Sequence, residues 1–227
     1  VAASKRFPPT SLVRRHETHR FIASKYGESV LARIADSAKH LDDIFKLDIA
    51  TNERALVEGG ISSGIDAHEL VFGVPYQHIV NAAFAHPHPL GSRFNGPDRG
   101  AWYCGFNIET AIAEVAFHKT IDLLEIGVLE DDATYDDYTA DFSAEFHDMR
   151  GVKRFAKYLD PESYVESQRL AEELLAIGSL GIVYPSVRNR GGTCIACFRP
   201  VLVMNVKRVA TYRFVWSGET APVVTLV

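Results

Sequence analysis

Four prolines, Pro75, Pro87, Pro89 and Pro97, fall with several glycines in the stretch ELVFGVPYQHIVNAAFAHPHPLGSRFNGPDRG, and this punctuation excludes a long helix there. The region is predicted as loops and short strands. The residues after it are forced into a compact order: GAWYCG reads as a short strand, and Asn107 is placed to cap a helix from about Ile108 to Lys119, with Glu109 in its first turn. Strand, turn and helix succeed one another within about twenty residues.

At 227 residues the chain suits one sizeable core, and a single α/β or α+β domain is expected. Its 47% hydrophobic and 23% charged residues are those of an ordinary globular protein. No apolar run approaches the roughly 20 residues that cross a bilayer, so no membrane span is expected. The opening VAASKRFPPTSLVRRHETHR lacks the apolar segment of a secretion signal, which makes a cytoplasmic location the expectation. A net charge of −5 argues against an electrostatic grip on nucleic acid. Arg14, Arg15, Arg20 and Lys25 form a small basic cluster, but Glu17 and Glu28 interrupt it, and it reads as a solvated helix face.

The three cysteines lie in apolar surroundings and are expected as buried reduced thiols. Cys194 and Cys197 spell C-x-x-C, yet in the β-rich run TCIACF positions three apart face opposite ways, and no second pair completes a zinc site. His86 and His88 in HPHP have no third ligand at a clear spacing. Asp131, Asp132, Asp136 and Asp137 do not fit a calcium loop and read as surface solvation.

Residues 11–58 read mostly as helix, with Val30, Ile34, Leu41, Ile44 and Phe45 at near-helical spacing. After the central helix, a strand is predicted near Leu123 to Leu129, followed by an acidic loop. Asp160, Pro161 and Glu162 are placed as N-cap, N1 and N2 of a helix whose stripe is Val165, Leu170, Leu174 and Ile177, closed by Gly178. A strand, a turn-rich loop and two further strands complete the chain.

Within TAIAEVAFH, residues 110–118, Glu114 is the one charged side chain among the apolar residues from Ala111 to Phe117. On a helix wheel it sits about 110° from the centre of the face shared by Ile108, Ala111, Ile112 and Val115, and Ala113 and Phe117 make the far side apolar too. This helix is therefore expected to be largely buried. A carboxylate there must pair with a nearby arginine or line a cavity, because an unpaired buried charge costs several kcal/mol.

Upstream, GSRFNGPDRG sets Arg93 and Arg99 among glycines, so that guanidinium groups and backbone amides could converge on an anion, or simply form a turn with exposed arginines. Tyr103 alternates with Trp102 and Cys104 on the following strand, as a site aromatic or a core one. Ser186, Arg188, Gly191 and Gly192 in YPSVRNRGG offer a second polar rim or a plain turn. Neither a P-loop nor G-x-G-x-x-G occurs. GISSG at 60–64 matches G-x-S-x-G with Ser62 as a serine-hydrolase nucleophile, but the preceding NERALVEGG reads as helix, where a nucleophile elbow needs a strand.

Together, Arg93 in a Gly-rich turn, Tyr103 on a strand, Glu114 on a helix and Ser186 in a Pro-Ser-x-Arg loop resemble the RES-domain toxins of bacterial type II toxin–antitoxin systems. The resemblance covers about residues 72–205, with one departure: the usual Gly-Gly-Arg-Trp reads Gly-Ser-Arg-Phe. It implies an α+β fold like that of ADP-ribosyltransferases, a mixed β core with flanking helices. Residues 1–70 would form a helical part packed on a catalytic domain at 71–227. It implies action on NAD⁺ as substrate, by hydrolysis, phosphorolysis or ADP-ribosyl transfer to protein, with no metal required. Glu114 would stabilise the ribosyl cation, Arg93 would clamp a phosphate, Tyr103 would pack on nicotinamide and Ser186 would hold a ribose hydroxyl or phosphate oxygen. Arg99 and Arg188 stand between substrate contact and scaffold. The implied partners are an Xre-type antitoxin and a second copy of the chain. A nucleotide-binding module without turnover stays open beside these readings.

Overall fold

In the computed structural model, residues 6–27 and 64–227 are described. They form an α+β fold in which one mixed sheet carries the helices on its flanks. The strands are β1 (Thr10–Ala23), β2 (Trp102–Gly105), β3 (Glu130–Asp148), β4 (Gly181–Pro185), β5 (Thr193–Cys197), β6 (Met204–Ser217) and β7 (Val223–Leu226). The helices are α1 (Ser24–Gly27), α2 (Gln77–Ala85), α3 (Ile108–Ile126) and α4 (Val165–Ala176).

The sheet runs β1-β2-β5-β4-β3-β6-β7, and β1 also pairs with β3, so five of the strands close into a ring. The long β3 makes this possible. One of its edges takes β1 from Tyr135 to His147, while the other takes β6 along its first half and then β4, in parallel, at His147 and Asp148. The ring is thinnest between β1 and β2, which meet at the single pair His19↔Gly105. A sheet that parts at such a seam leaves room between its strands, and the candidate site lies there.

β1 replaces the helix expected from residue 11 onward. Its alternation is broken by a bulge between Arg15 and Thr18, where Glu17 adopts a positive φ of 52° and its amide donates to Asp141 Oδ1 at 2.9 Å. The bulge spaces the buried residues Val13, Thr18 and Phe21 irregularly, and this hides the two-residue period. Pairing along β3, a partner far away in sequence, decides the conformation. The remainder of the predicted helix, with Ser62, lies outside the described residues.

Four further expectations are corrected. The Pro-rich stretch holds a short helix, α2, whose Ile79, Val80 and Phe84 pack into the core between Pro75 and Pro87. Helix α3 runs on through the predicted strand until Gly127, at φ 77°, lets the amides of Gly127 and Val128 cap the carbonyls of Leu124 and Leu123. The acidic run is then strand rather than loop, because its carboxylates find partners. Lys119 meets Asp131, Arg213 meets Asp132, Arg208 and Thr211 meet Asp136, and His19 meets Asp137. Helix α4 begins later than predicted: Asp160 Oδ1 accepts from the amides of Glu162 and Ser163 in a local turn, and the helix starts at Val165. Val165 and Ile177 end up exposed, while Leu170 and Leu174 are buried and Gly178 closes the segment at φ 78°.

The three cysteines are free and buried, as expected. Cys194 and Cys197 join different core clusters on opposite faces of β5. No helix among the described residues is long and apolar enough to cross a membrane, and none of their His, Cys, Asp and Glu groups clusters as a metal site.

Candidate active site

A cavity of about 320 Å³ opens at the β1–β2 seam, walled by Arg20 and Phe21 from β1, Tyr103 to Gly105 from β2, and Glu114, Val115 and His118 from α3. Arg93, Tyr164, Tyr135, Tyr184 and Cys194 also reach it. Helix α3 delivers Glu114 because its N-terminus is fixed. Asn107 caps it as predicted, accepting from the Thr110 amide at 3.0 Å. The helix lies close against the loop after β4: a Cβ added at Gly192 would fall 2.4 Å from Thr110 Oγ1. The predicted burial of α3 is only partly met. Ala111 and Leu123 are buried, Glu114 to Phe117 are half-buried, and Ile121, Leu124 and Ile126 are exposed.

Among the described residues, none forms an ion pair with Glu114. Ser186 Oγ donates to its Oε1 at 2.7 Å, and the Cys194 thiol lies 3.7 Å from the same oxygen. Oε2 has no hydrogen-bond partner among the described residues. Ser186 is itself fixed, accepting from the amides of Arg188 at 3.1 Å and Asn189 at 2.9 Å. Asn189 Nδ2 in turn donates to Thr110 Oγ1, tying the loop to the start of α3. Burial pushes the Cys194 thiol far above its usual range, reinforced by Glu114, so it stays a protonated donor.

Arg93 is buried, stacks 4.6 Å over the Tyr164 ring and donates to the Asp160 carbonyl at 2.6 Å. Its loop folds by a Ser92–Asn95 bridge and a turn at Gly91, where φ is 70° and a side chain would strike Asn95 O. The backbone amides of Gly91 and Ser92 are spent on this turn, so the loop offers a guanidinium rather than an amide nest. Tyr103 fixes it from below: its hydroxyl accepts from the Phe94 amide and donates to Asn95 Oδ1, both at 2.8 Å. Burial drives the Tyr103 phenol well above its usual range, so it remains neutral. Phe94, at the position of the usual tryptophan, is fully buried against Tyr184.

The structure thus brings together Arg93, Tyr103, Glu114 and, behind the carboxylate, Ser186. Arg99 does not join them. Its guanidinium forks onto Glu69 at 2.7 and 2.8 Å and donates to the Phe198 carbonyl, a scaffold role. Arg188 lies 3.3 Å over the Phe117 ring and donates to the Pro161 carbonyl, pinning its loop to α3 just outside the cavity wall.

Arg20 belongs to the site although the sequence placed it on a solvated face. It lies 4.8 Å over Trp102 and donates to the Tyr103 carbonyl at 3.1 Å, with its Nε buried and unpartnered among the described residues. Burial pushes its pKa below the usual guanidinium range. Its construction repeats that of Arg93: an aromatic face, one carbonyl, and no carboxylate partner among the described residues. A strand reading alone would not have found it, since plain alternation puts Arg14 and Arg20 on one face, and the bulge between Arg15 and Thr18 changes that register. His118 was also missed, although it lies four residues past Glu114 on the same helix.

Electrostatically the cavity joins the partly free Glu114 carboxylate, with Asp122 further along α3, to two guanidinium groups that have no carboxylate partner among the described residues. Such a place suits a ligand carrying phosphate near the arginines and developing positive charge beside the carboxylate.

Among solved structures, the M. tuberculosis MbcT–MbcA toxin–antitoxin complex is similar over 89% of this chain and 85% of that one, at 11% identity and a TM-score of 0.48. No curated protein matches the sequence. The RES domain profile matches residues 70–217, a span that holds Arg93, Tyr103, Glu114 and Ser186, and the chain belongs to the RES-domain family.

Proposed function

We propose that the protein is the toxin of a bacterial toxin–antitoxin pair and that it cleaves the nicotinamide–ribose bond of NAD⁺. The observation that carries this reading is Glu114, held through one oxygen by Ser186 while the other is unpartnered among the described residues of a cavity flanked by Arg20 and Arg93. Leaving of nicotinamide develops positive charge on the ribose, and a fixed carboxylate beside the anomeric carbon stabilises it. The two arginines take the diphosphate. The Tyr103 ring faces the nicotinamide, a contact favourable to a cationic ring. No step in this scheme calls on a metal.

The catalytic unit is ADP-ribosyltransferase-like and takes in residues 71–227 together with β1, which supplies Arg20 and Phe21 to the cavity. The expected partners are an Xre-type antitoxin that blocks the cavity and a second toxin chain. Water, inorganic phosphate or a protein side chain could accept the ADP-ribose, and with a protein side chain the same site would be a protein ADP-ribosyltransferase.

Free nicotinamide is followed after mixing purified protein with NAD⁺, beside Glu114→Ala and Arg93→Ala. Release by the parent protein and loss of at least about 10²-fold in Glu114→Ala are expected. Undiminished release by Glu114→Ala would remove this residue from the mechanism. Label from adenine-labelled NAD⁺ on a protein band identifies the transferase.

A further inference from the structure

His118 lies one helical turn beyond Glu114 on α3 and lines the same cavity, with Asp122 one turn further along. Side chains four apart on a helix share a face, with Cβ atoms about 6 Å apart. A water or hydroxyl group held between Glu114 and His118 can therefore touch both. Neither ring nitrogen of His118 is engaged among the described residues, and its one ring contact is the edge of Phe117.

We propose that His118 is the general base of the second half of the reaction, taking the proton of the hydroxylic acceptor that attacks the ribosyl cation. This rests on the NAD⁺-cleaving reading of the site. As nicotinamide leaves, the C–N electron pair goes with the ring nitrogen, and nicotinamide departs neutral. The acceptor oxygen then forms the new C–O bond at the anomeric carbon while its proton passes to the His118 imidazole and on to solvent. With water the products are ADP-ribose, nicotinamide and one proton. Glu114 serves bond breaking, and His118 serves capture.

The surroundings keep the imidazole ready for this. His118 is exposed at the edge of the cavity, where partial desolvation lowers its pKa; Arg188 and Arg93 push the same way from the two loops facing it, while Glu114 and Asp122 on its own helix oppose them. Lys119, next to it, is engaged by Asp131. The net shift is downward, so the ring is neutral near pH 7 and can accept a proton.

Cleavage and capture are separable, because a ribosyl cation that is not captured recombines with nicotinamide. The test uses the full chain in phosphate-free buffer and measures two rates: hydrolysis of NAD⁺ to ADP-ribose, and exchange of labelled nicotinamide into NAD⁺. His118→Ala and His118→Gln are expected to lose about 10²-fold or more in hydrolysis while retaining exchange, whereas Glu114→Ala loses both. Unchanged hydrolysis in His118→Ala overturns the proposal. So does a parallel loss of exchange in both His118 variants, which would mark a structural role. Absence of both reactions in the parent protein sinks the NAD⁺ reading itself, and the base role with it.

Discussion

Ser186 and Glu114, 72 residues apart in the chain, meet at 2.7 Å, with the serine hydroxyl donating to the carboxylate that faces the cavity. The serine is held in turn by two backbone amides, so its hydrogen has one direction left, toward Oε1. Ser186→Ala removes this aim without removing the carboxylate. A misplacement on the order of 1 Å costs about 10²-fold in rate. Ser186→Ala is expected to lower kcat for nicotinamide release by up to that factor, with KM for NAD⁺ little changed. A large rise in KM with kcat intact would instead place Ser186 on the substrate, as the resemblance implied.

Arg20 and Arg93 are expected to act alike, since each is held by an aromatic ring and one carbonyl. Hydrogen bonds to charged groups contribute about 1.5–3 kcal/mol, so loss of either arginine should weaken ADP-ribose binding by about 10- to 100-fold. Calorimetric titration of Arg20→Ala and Arg93→Ala checks this. The lysine variants should recover little, because an ammonium cannot fork onto a phosphate or stack on the ring as a guanidinium does. Full-strength binding by Arg20→Ala would return that residue to the scaffold.

Much of the site was legible in the sequence because its residues lie in short, locally determined pieces. Asn107 capping, the Gly-rich turn around Arg93 and the strand carrying Tyr103 follow from turn chemistry and capping, which act over a few residues. β1 and β3 were missed for the opposite reason. The bulge at Glu17 hides the period of β1, and the acidic β3 is a strand because Lys119, Arg208, Arg213 and His19 reach it from elsewhere. Arg20 was lost with β1: its place at the β1–β2 seam comes from long-range pairing and from the bulge after Arg15, neither of which the local pattern sets. The separation of Arg99 from Arg93 depended on Glu69, whose position the local pattern does not set.

That Glu69 cluster sets a dependence of stability on pH. Hydrogen bonds from Arg99, with its charge and with Arg199, hold the Glu69 carboxyl down at about 2, against a usual value of 4.5. The folded pKa is depressed, so the stabilisation is fully present above about pH 4.5 and is lost as the pH falls through about 2. Urea melts between pH 7 and 2 should show the parent protein losing a component over that window. Glu69→Gln should lack this component and be less stable than the parent at pH 7. Parallel curves for the two proteins would show that the cluster does not contribute.

Tyr103→Phe separates the ring from its hydroxyl. The ring that faces the cavity is kept, but the Phe94 amide loses its acceptor and Asn95 Oδ1 its donor. Leaving such groups unsatisfied costs about 1–3 kcal/mol, so a clear fall in Tm is expected. Activity should fall through loosening of the Arg93 loop, seen as a higher KM. Because burial keeps the phenol neutral, Tyr103→Phe should leave the shape of the pH–rate profile unchanged. A change in that shape in Tyr103→Phe would make the phenol an acid in the reaction.

Gly192 tests whether the Ser186 loop must sit tightly on α3 for the carboxylate to be aimed. A Cβ there would lie 2.4 Å from Thr110 Oγ1 and 3.1 Å from Thr110 Cγ2, closer than side chains tolerate. Gly192→Ala should therefore push the loop away from the helix, stretch the Ser186–Glu114 hydrogen bond and lower kcat along with Tm. Thr110→Ala removes the two side-chain atoms that the new methyl would strike, leaving the Asn189 carbonyl at 3.0 Å, at the loss of the acceptor for the Asn189 side chain. The double variant should then regain much of the activity that Gly192→Ala alone loses, a non-additivity expected of residues in contact. If the effects of the two substitutions simply add, the close approach of loop and helix is not what aims Glu114.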